Sequence, residues 1–350
     1  MIEDQHFISQ EKNLIDVLYQ INELRNGPLV LFVLDQDGRM VGTLTDGDVR
    51  RALIGGAEKT TKIVEVMHRD FNYIPQGVDD IVTELHRQRE LHMRLVPVLD
   101  EEKHIVEIIN LQTYKTKLPI DAVIMAGGKG ERLRPLTEKT PKPLIKVGEK
   151  CIIDYNVDNL ISYGVKHISV TVNYLGEQLE VHYAEKRNDV KIDTVREPKF
   201  LGTIGSIQFV KKFYNDTVLV MNSDLFTNIN FEDFYLHFKE HNADMSAVAV
   251  PYTISVPYGI FDIQEKRLIK GVLEKPTYQY YANAGIYLIK RSMIEKYIPE
   301  DAFFNATDFM EKLISEKRKV IRFPLSGYWI DIGNKQEYER AKEIVKHMNF

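Results

Sequence analysis

The 350-residue sequence predicts an α/β protein in which a domain with a mixed, mostly parallel sheet follows a smaller N-terminal repeat pair. From Asp121 onward, short apolar runs rich in Val and Ile alternate with amphipathic segments, the pattern of a sheet covered on both faces. Before Asp121, one helix-and-strand pattern occurs twice. Hydrophobic residues make up 44% of the chain, which is enough to build a core in each part.

The first third of the chain contains this weak internal repeat. The tripeptide Val-Leu-Asp begins at Val33 and again at Val98. Each Val-Leu-Asp tripeptide is preceded by a segment with helical periodicity, NLIDVLYQINEL in the first repeat and VDDIVTELHRQREL in the second. A polar turn and a second short apolar run come after it. A helix packed on a small sheet, twice over, predicts a compact repeat pair across residues 1–118.

The sharpest stretch of the repeat, GTLTDGDVRRAL at Gly42–Leu53, resembles CBS domains, which are adenosyl-ligand-binding regulatory modules. The resemblance covers Ile8–Lys117 and implies that Thr45 and Asp48 contact the ribose and phosphate of an adenine or guanine nucleotide. The second copy has no aspartate in its corresponding Asn110–Thr113, so a full second site is not expected. Two alternatives stay open: Asp48 only caps a helix, or the pair serves only for dimerisation. Because CBS pairs usually associate, the resemblance implies a homo-oligomer, a dimer or larger.

Composition and charge exclude several classes of protein. The formal net charge of −5 and the pI near 6.1 argue against a nucleic-acid-binding protein. No apolar run approaches the roughly 20 residues of a membrane helix, and the start MIEDQHF lacks the features of a signal peptide. The single cysteine, Cys151, indicates a reducing compartment. We therefore expect a cytoplasmic protein with no membrane partner.

The second domain is predicted to span residues 119–350, because Pro119 breaks local structure just before a new strand. That strand, DAVIMA, leads into a glycine loop and then a predicted helix. Gly128 and Gly130 alone are a weak signal, since neither a P-loop nor a full dinucleotide fingerprint follows. Together with Arg132, and with Lys142 between two prolines, they predict a polyphosphate clamp beyond the carboxyl ends of the strands.

The stretch MAGGKGERLRPLTEKTPKPL closely resembles the signature of sugar-1-phosphate nucleotidylyltransferases. The segments FLGTIGSI, LVMNSDLF, VPYGIF, LEKPT, NAGIYLI and YWIDIG follow in the family's order, so the resemblance covers about Ala122–Ala341. It implies a Rossmann-like, GT-A-like nucleotidyltransferase domain. It also implies one Mg²⁺-dependent reaction, in which a nucleoside triphosphate and a sugar-1-phosphate give a nucleotide sugar and pyrophosphate.

The resemblance also implies roles for individual residues. Arg132, Lys142, Asp224 and Asp331 would be catalytic, and the two aspartates would hold Mg²⁺, a hard cation that prefers oxygen ligands. The residues implied for nucleotide binding are Ala126, Gly127, Gly128, Gly130, Glu197, Gly202 and Thr203. The residues implied for sugar binding are Tyr258, Gly259, Glu274, Lys275 and Asn283.

Glu197 stands where members of the family read the base. Guanine offers two neighbouring donors, and a carboxylate, which only accepts hydrogen bonds, can take both. Glu197 therefore favours GTP. The alternative is that Glu197 is a surface charge before a proline.

A CBS pair followed by a short transferase, with no C-terminal acyltransferase β-helix, resembles the glucosamine-1-phosphate guanylyltransferases of bacterial legionaminic acid biosynthesis. This resemblance implies GDP-glucosamine as product, while mannose-, heptose- and glucose-1-phosphate and other bases stay open. Two other classes also stay open. One is a catalytically silent nucleotide sensor. The other is a glycosyltransferase, which is expected to carry an Asp-x-Asp motif; the one such triplet, Asp46–Asp48, lies in the CBS-like region.

Overall fold

The computed structural model describes residues 4–24, 27–263 and 267–346. The chain divides into two compact units, Met1–Thr116 and Lys117–Phe350. The predicted division at 118/119 lies two residues further along the chain.

The N-terminal unit contains two three-stranded sheets with the same topology. In each, the first strand pairs parallel with the second, and the second forms an antiparallel hairpin with the third. The strands are β1 (Phe7–Ser9), β2 (Val30–Leu34), β3 (Met40–Thr45), β4 (Ile74–Pro75), β5 (Leu95–Leu99) and β6 (Ile105–Asn110). The helices are α1 (Leu14–Glu23), α2 (Asp46–Ile54) and α3 (Ile81–Glu90). Apolar residues of α1 and β2 are buried together, as the helical period of the sequence requires.

The C-terminal unit is built on a seven-stranded sheet. Its strands are β7 (Asp121–Ala126), β10 (Ile168–Val172), β11 (Ile192–Arg196), β12 (Thr217–Asn222), β14 (Met245–Ser255), β17 (Thr277–Lys290) and β18 (Val320–Pro324). The order across the sheet is β11-β10-β7-β12-β17-β14-β18, and only β17 runs antiparallel to its neighbours. The predicted mixed, mostly parallel sheet is confirmed.

Short ribbons and helices complete this unit. The ribbon strands are β8 (Lys146–Val147), β9 (Lys150–Cys151), β13 (Leu225–Thr227), β15 (Ile260–Ile263), β16 (Ile269–Leu273) and β19 (Trp329–Asp331). The helices are α4 (Ile152–Ser162), α5 (Gly176–His182), α6 (Phe231–Glu240), α7 (Arg291–Tyr297), α8 (Ala306–Ser315) and α9 (Lys335–Lys346). Among the described residues, no helix is both long and apolar enough to cross a membrane.

The central strand β7 is apolar on both faces because helices cover both faces of the sheet. Val123 and Val220 pack with Phe309 of α8 in one core cluster. The helix predicted after the glycine loop does not form. A single 3-10 turn, Glu131–Leu133, takes its place, since Pro135 cannot donate the hydrogen bond that would continue a helix and disfavours the helical region for the residue before it.

Candidate functional site

A cleft of about 630 Å³ opens at one edge of the seven-stranded sheet. Strands β7, β10, β11 and β12 are parallel, so their carboxyl ends and the loops that follow them meet at this edge. The cleft is lined by the predicted residues Ala126, Gly127, Gly128, Gly130, Arg132, Lys142, Glu197, Gly202, Thr203 and Asp224. Residues separated by about a hundred positions in sequence therefore share one concave surface.

The glycine loop after β7 depends on two glycines for its shape. A Cβ atom on Gly127 would lie 2.1 Å from Glu197 Oε1, so no other residue fits there without displacing the glutamate. Gly130 has a φ of 62°, in the left-handed region, and its carbonyl accepts a hydrogen bond of 2.8 Å from Thr137 Oγ1. The space around Gly128 is open, so a ligand can approach the backbone there.

Asp224 and Asp331 are brought together by the two-stranded ribbon β13–β19. Asp224 follows β12, and the next residue, Leu225, pairs with Asp331 across the ribbon. The Ile332 N–H donates to the carbonyl of Asp224 at 3.1 Å, which fixes this register. Backbone pairing, not side-chain attraction, therefore places two carboxylates side by side.

Two cations stand next to this carboxylate pair. Lys142 is buried, its ammonium donates to Asp224 Oδ2, and the same nitrogen lies 3.8 Å from Asp331 Oδ1. The Arg132 guanidinium lies against Gly333, two residues after Asp331, because a Cβ atom on Gly333 would lie 3.0 Å from Arg132 Nη2. Burial and the neighbouring Asp224 carboxylate raise the pKa of Asp331, and Lys142 and Arg132 oppose that shift.

The carboxylate pair fits a divalent cation. Within the described residues, Asp224 Oδ1 and Asp331 Oδ1 are buried and have no hydrogen-bond partner. Buried polar atoms are nearly always satisfied, so two orphaned carboxylate oxygens together indicate a site that a ligand completes. Hard cations such as Mg²⁺ bind through one or two such carboxylates and through substrate phosphates.

Glu197 is placed by the end of β11 and is only 3% exposed. Its backbone N–H pairs with Val172 of β10 at 3.1 Å, and its Oε2 accepts the Leu201 N–H at 3.0 Å. The interpretation of Glu197 as a surface charge is therefore wrong. Burial raises the pKa of this carboxyl, and the bond from Leu201 opposes the shift.

The residues predicted to bind sugar do not line this cleft. Tyr258 and Gly259 precede β15, and Glu274 and Lys275 follow β16, so the ribbon places these two pairs together; a Cβ atom on Gly259 would lie 3.0 Å from Glu274 Oε2. Asn283 lies within β17 and donates to Tyr287 Oη at 2.8 Å. Their role in sugar binding stays a prediction.

In the N-terminal unit, Thr45 and Asp48 form a capping box at the start of α2. Asp48 Oδ2 accepts the Thr45 N–H at 2.8 Å and the Thr45 hydroxyl at 2.6 Å, while Arg51 pairs with Asp48 Oδ1 at 2.6 Å. The structure thus displays the helix-capping role that the sequence left open. Nucleotide binding at these residues stays a prediction.

Several cleft residues were not predicted from the sequence. The most prominent is Phe200, which is 51% exposed, lines the cleft and packs edge-to-face on Phe303 at 5.9 Å. Asn173 and Asn222 also line the cleft. The available signal was position: Phe200 lies between Glu197 and Gly202, and each asparagine lies at or just after the end of a strand.

A second cleft of about 490 Å³ lies at the opposite end of the sheet, around Thr217 and Lys290. Lys290 Nζ pairs with Asp244 at 3.1 Å, and Arg291 pairs with Asp216 at 2.7 Å. These charges are paired with each other, whereas Asp224 Oδ1 and Asp331 Oδ1 have no hydrogen-bond partner in the described residues, so the first cleft is favoured as the functional site.

Comparison with known proteins agrees with this geometry. The family model described as nucleotidyl transferase matches residues 121–347, and the CBS domain model matches residues 1–55. The mannose-1-phosphate guanylyltransferase catalytic subunit beta of Danio rerio is 28% identical over 225 residues, which cover 62% of this chain and 62% of that protein. The bifunctional protein GlmU of Methanococcus maripaludis is 30% identical over 223 residues, covering 61% of this chain and 52% of that protein. The matches thus span less than two thirds of these relatives.

Solved structures of similar fold cover about the same share of the chain. HddC from Yersinia pseudotuberculosis has a TM-score of 0.52 and 26% identity, covering 64% of this chain and 99% of its own. HddC has also been solved in complex with GMP-PN, and that structure has a TM-score of 0.51 and covers the same shares of the two chains.

Proposed function

The chain belongs to the nucleotidyl transferase family, and from this premise we propose that it transfers a nucleotidyl group from a nucleoside triphosphate to a sugar-1-phosphate and releases pyrophosphate. The observation that carries the proposal is the pair of orphaned carboxylate oxygens on Asp224 and Asp331, beside Lys142 and Arg132. Two carboxylates and two cations lie beside the glycine loop. This arrangement suits a reaction in which several negative charges come together at one phosphorus and must be neutralised.

Each part of the cleft has a proposed task. The open backbone at Gly128 and the guanidinium of Arg132 hold the triphosphate. Lys142 orients the phosphate of the sugar, whose oxygen attacks the α-phosphorus in line while pyrophosphate leaves. Asp224 and Asp331 would hold Mg²⁺, which when bound neutralises charge on the phosphates. No covalent enzyme intermediate is required.

GTP is the proposed nucleotide. Glu197 is buried at the wall of the cleft, and its Oε1 points toward Gly127 across the strand ends. A buried carboxylate that accepts the two neighbouring donors of guanine discriminates against bases that offer a single donor. The relatives include mannose-1-phosphate guanylyltransferases, which supports the same base.

Glucosamine-1-phosphate is the proposed sugar, on the resemblance of the whole architecture to the guanylyltransferases of bacterial legionaminic acid biosynthesis. Mannose-1-phosphate is the second candidate, because relatives in Drosophila and Danio carry that substrate in their names. Tyr258, Glu274 and Asn283 are proposed to contact the sugar. The N-terminal unit is proposed as a regulatory or dimerisation module, and the cytoplasm as the location, where nucleoside triphosphates are available.

Pyrophosphate release tests the proposal. The full chain with Mg²⁺ is assayed against GTP, CTP, UTP, dTTP and ATP, each crossed with glucosamine-, mannose- and glucose-1-phosphate. We expect strong turnover with GTP and glucosamine-1-phosphate. Turnover with mannose-1-phosphate instead would keep the base and change the sugar. No turnover with any pair, with AMP or ATP also added to engage Thr45 and Asp48, would favour a silent sensor over an enzyme.

A further inference from the structure

Three side chains of metal-binding type meet in the described part of the C-terminal unit, away from the residues that line the cleft. Cys151 is the last residue of β9, Asp154 lies in the first turn of α4, and His182 is the last residue of α5. Their ligand atoms, a thiol sulfur, a carboxylate oxygen and an imidazole nitrogen, all lie within 4.8 Å of one another. Thiolate, imidazole and carboxylate are the donor groups that bind Zn²⁺ in proteins.

The spacing of these atoms is close to the spacing of ligands around a tetrahedral ion. His182 Nε2 lies 2.9 Å from Asp154 Oδ1 and 3.2 Å from Asp154 Oδ2. A nitrogen and an oxygen bound to one Zn²⁺ at about 2.0–2.2 Å stand about 3.3 Å apart, and a nitrogen and a sulfur stand about 3.6 Å apart. Shifts of about 1 Å in the side chains of Cys151 and His182 therefore bring all three atoms to one ion.

Asp154 is held in the way that metal-binding carboxylates are held. It is only 4% exposed, and its Oδ1 accepts the Tyr183 hydroxyl at 3.0 Å. Hydrogen bonds of this kind orient a ligand carboxylate. Burial disfavours the charged form, but the hydrogen bond and charge of His182 and the charge of Arg187 lower the pKa of Asp154. The group is therefore an oriented carboxylate near neutral pH.

One neighbouring cation, Arg187, competes for Asp154, but another carboxylate mainly holds it. Arg187 Nη1 lies 3.4 Å from Asp154 Oδ1. Its Nε and Nη2 donate to the two oxygens of Asp158 at 2.6 and 3.0 Å. A bidentate pair of this kind is stronger and more specific than a single long contact. The Arg187 charge is thus balanced by Asp158, and Asp154 keeps charge for a further cation.

Solvent reaches this cluster. His182 is exposed and Cys151 is half-buried, so an ion can enter and water can supply a fourth ligand. Burial and the charge of Asp154 raise the pKa of the Cys151 thiol. A bound Zn²⁺ reverses this effect, because a coordinating thiol is deprotonated. Without the ion, Cys151 is therefore a weak nucleophile, and with it the thiolate is occupied.

We propose that Cys151, Asp154 and His182 bind one Zn²⁺, with water as the fourth ligand, and that the ion pins α5 to α4. The inference goes beyond the proposed function and does not rest on it. The site is separate from the carboxylate pair of the cleft, whose oxygen ligands suit a hard cation, whereas a thiolate and an imidazole favour Zn²⁺.

The helix that the ion fixes also supports the carboxylate pair. Asn156 on α4 is buried, and its Nδ2 donates to the Leu225 carbonyl at 2.8 Å. Leu225 pairs with Asp331 across the ribbon β13–β19. Zn²⁺ at the start of α4 therefore stabilises the element against which this ribbon rests, and its role is structural.

Titration of the full chain with Co²⁺, a spectroscopic substitute for Zn²⁺, tests the site. Because Cys151 is the sole cysteine, a thiolate-to-cobalt charge-transfer band can arise at no other residue. We expect a band that saturates at one Co²⁺ per chain, that Zn²⁺ displaces and that Cys151→Ser abolishes. His182→Ala should weaken Co²⁺ binding by about tenfold or more. The matched control, His68→Ala at an exposed histidine of the N-terminal unit, should bind like the wild type.

Three results would overturn the proposal. The first is a wild type without the band at millimolar Co²⁺. The second is a band that His182→Ala leaves unchanged, since the thiolate alone would then hold the ion. The third is loss of the band in Asp224→Asn, which would assign the ion to the cleft; this variant is expected to keep the full band.

If Cys151→Ser or His182→Ala fails to fold by circular dichroism, alkylation of the wild type decides. Stoichiometric Zn²⁺ should slow the reaction of Cys151 with iodoacetamide at least tenfold, because the thiolate is coordinated. Mg²⁺ at the same concentration should leave the rate unchanged. Equal rates with the two ions would also overturn the proposal. Neither readout depends on catalytic activity, so failure of this site is distinguishable from failure of the proposed function.

Discussion

Two pairs of polar residues differ in whether their carboxylates are fully hydrogen-bonded. One pair is Thr45 and Asp48 in the N-terminal unit, and the other is Asp224 and Asp331 in the C-terminal unit. Each consists of polar side chains at or just after the end of a strand, and each resembles part of a ligand-binding motif. At α2 the Asp48 carboxylate is satisfied within the motif by Thr45 and by Arg51. Asp224 in the cleft and the adjacent Asp331 each have one buried oxygen with no hydrogen-bond partner in the described residues.

This difference distinguishes polar residues that stabilise the fold from polar residues that are available to bind a ligand. A self-satisfied motif stabilises the fold without a ligand, whereas orphaned buried oxygens cost free energy that a ligand recovers. The pKa values follow the same division. Burial alone would raise the pKa of Asp48, but bonds from Thr45 and Arg51 lower it. Burial and a like charge raise the pKa of Asp331.

Of the substitutions considered, Asp224→Asn should reduce catalytic activity the most. Loss of one carboxylate from the pair is expected to reduce kcat by about a hundredfold to a thousandfold, the range seen when one electrostatic partner of a transition state is removed. Pyrophosphate release measures it. Asp216→Asn, at an exposed carboxylate at the opposite end of the sheet, is the control. Near-normal activity of Asp224→Asn would remove the carboxylate pair from the mechanism.

Glu197→Gln should change base selectivity. The amide replaces one acceptor with a donor, so the ratio of kcat/KM for GTP to that for dTTP should fall about tenfold or more. Competition assays with both nucleotides measure the ratio. Glu177→Gln, at an exposed glutamate of α5, should leave it unchanged. An unaltered ratio in Glu197→Gln would mean that another group reads the base.

Phe200→Ala should weaken nucleotide binding. An exposed aromatic ring at the wall of the cleft offers a stacking surface for the base, and such stacking contributes about 1–3 kcal/mol. The KM for GTP is expected to rise about tenfold, with the KM for the sugar phosphate unchanged and with rescue by Phe200→Trp. An equal rise in both KM values would indicate a structural role instead.

The KM for GTP should rise as the pH is lowered, and this rise should begin at a higher pH than the pKa of an ordinary glutamate would give. Burial raises the pKa of Glu197, so the carboxylate is protonated, and ceases to be acceptor-only, as pH falls through this raised value. The KM for GTP should therefore rise a few-fold toward acid in the wild type. The rise should be smaller in Glu197→Gln, where only other groups still titrate, among them Asp331, whose pKa is also raised. Parallel profiles in the two proteins would contradict the assignment.

Asp48→Ala should have the smallest effect, and on stability alone. Loss of the capping box is expected to lower the free energy of unfolding by about 1 kcal/mol. Because the pKa of Asp48 is lowered in the folded state, the electrostatic part of this contribution is fully present above the pKa of an ordinary aspartate and is lost as pH falls through the lowered pKa. Urea denaturation measures the loss, and Thr45→Ser should retain most of the cap. Unchanged stability with a lost response to added AMP or GTP would favour a ligand site.

The alternating apolar segments predicted the sheet and its covered faces, since burial on both sides demands apolar residues at every position of a central strand such as β7. The repeat around Val33 and Val98 likewise appears as two sheets of one topology. The predicted helix after the glycine loop failed at Pro135, a signal that was visible in the sequence. Phe200 could not be predicted as a site residue, because only the tertiary structure shows that this exposed aromatic side chain lines the cleft.

The sequence by itself determined the glycine loop, the order of the motifs and the types of residue available for catalysis. Backbone freedom and side-chain charge are properties of single residues, so they can be identified without the fold. Only the tertiary structure decided which of these groups are satisfied. The ribbon β13–β19 sets Asp331 beside Asp224, and the turn after β11 buries Glu197 against Gly127. Whether a polar group has a partner depends on contacts between distant segments, and folding alone creates those contacts.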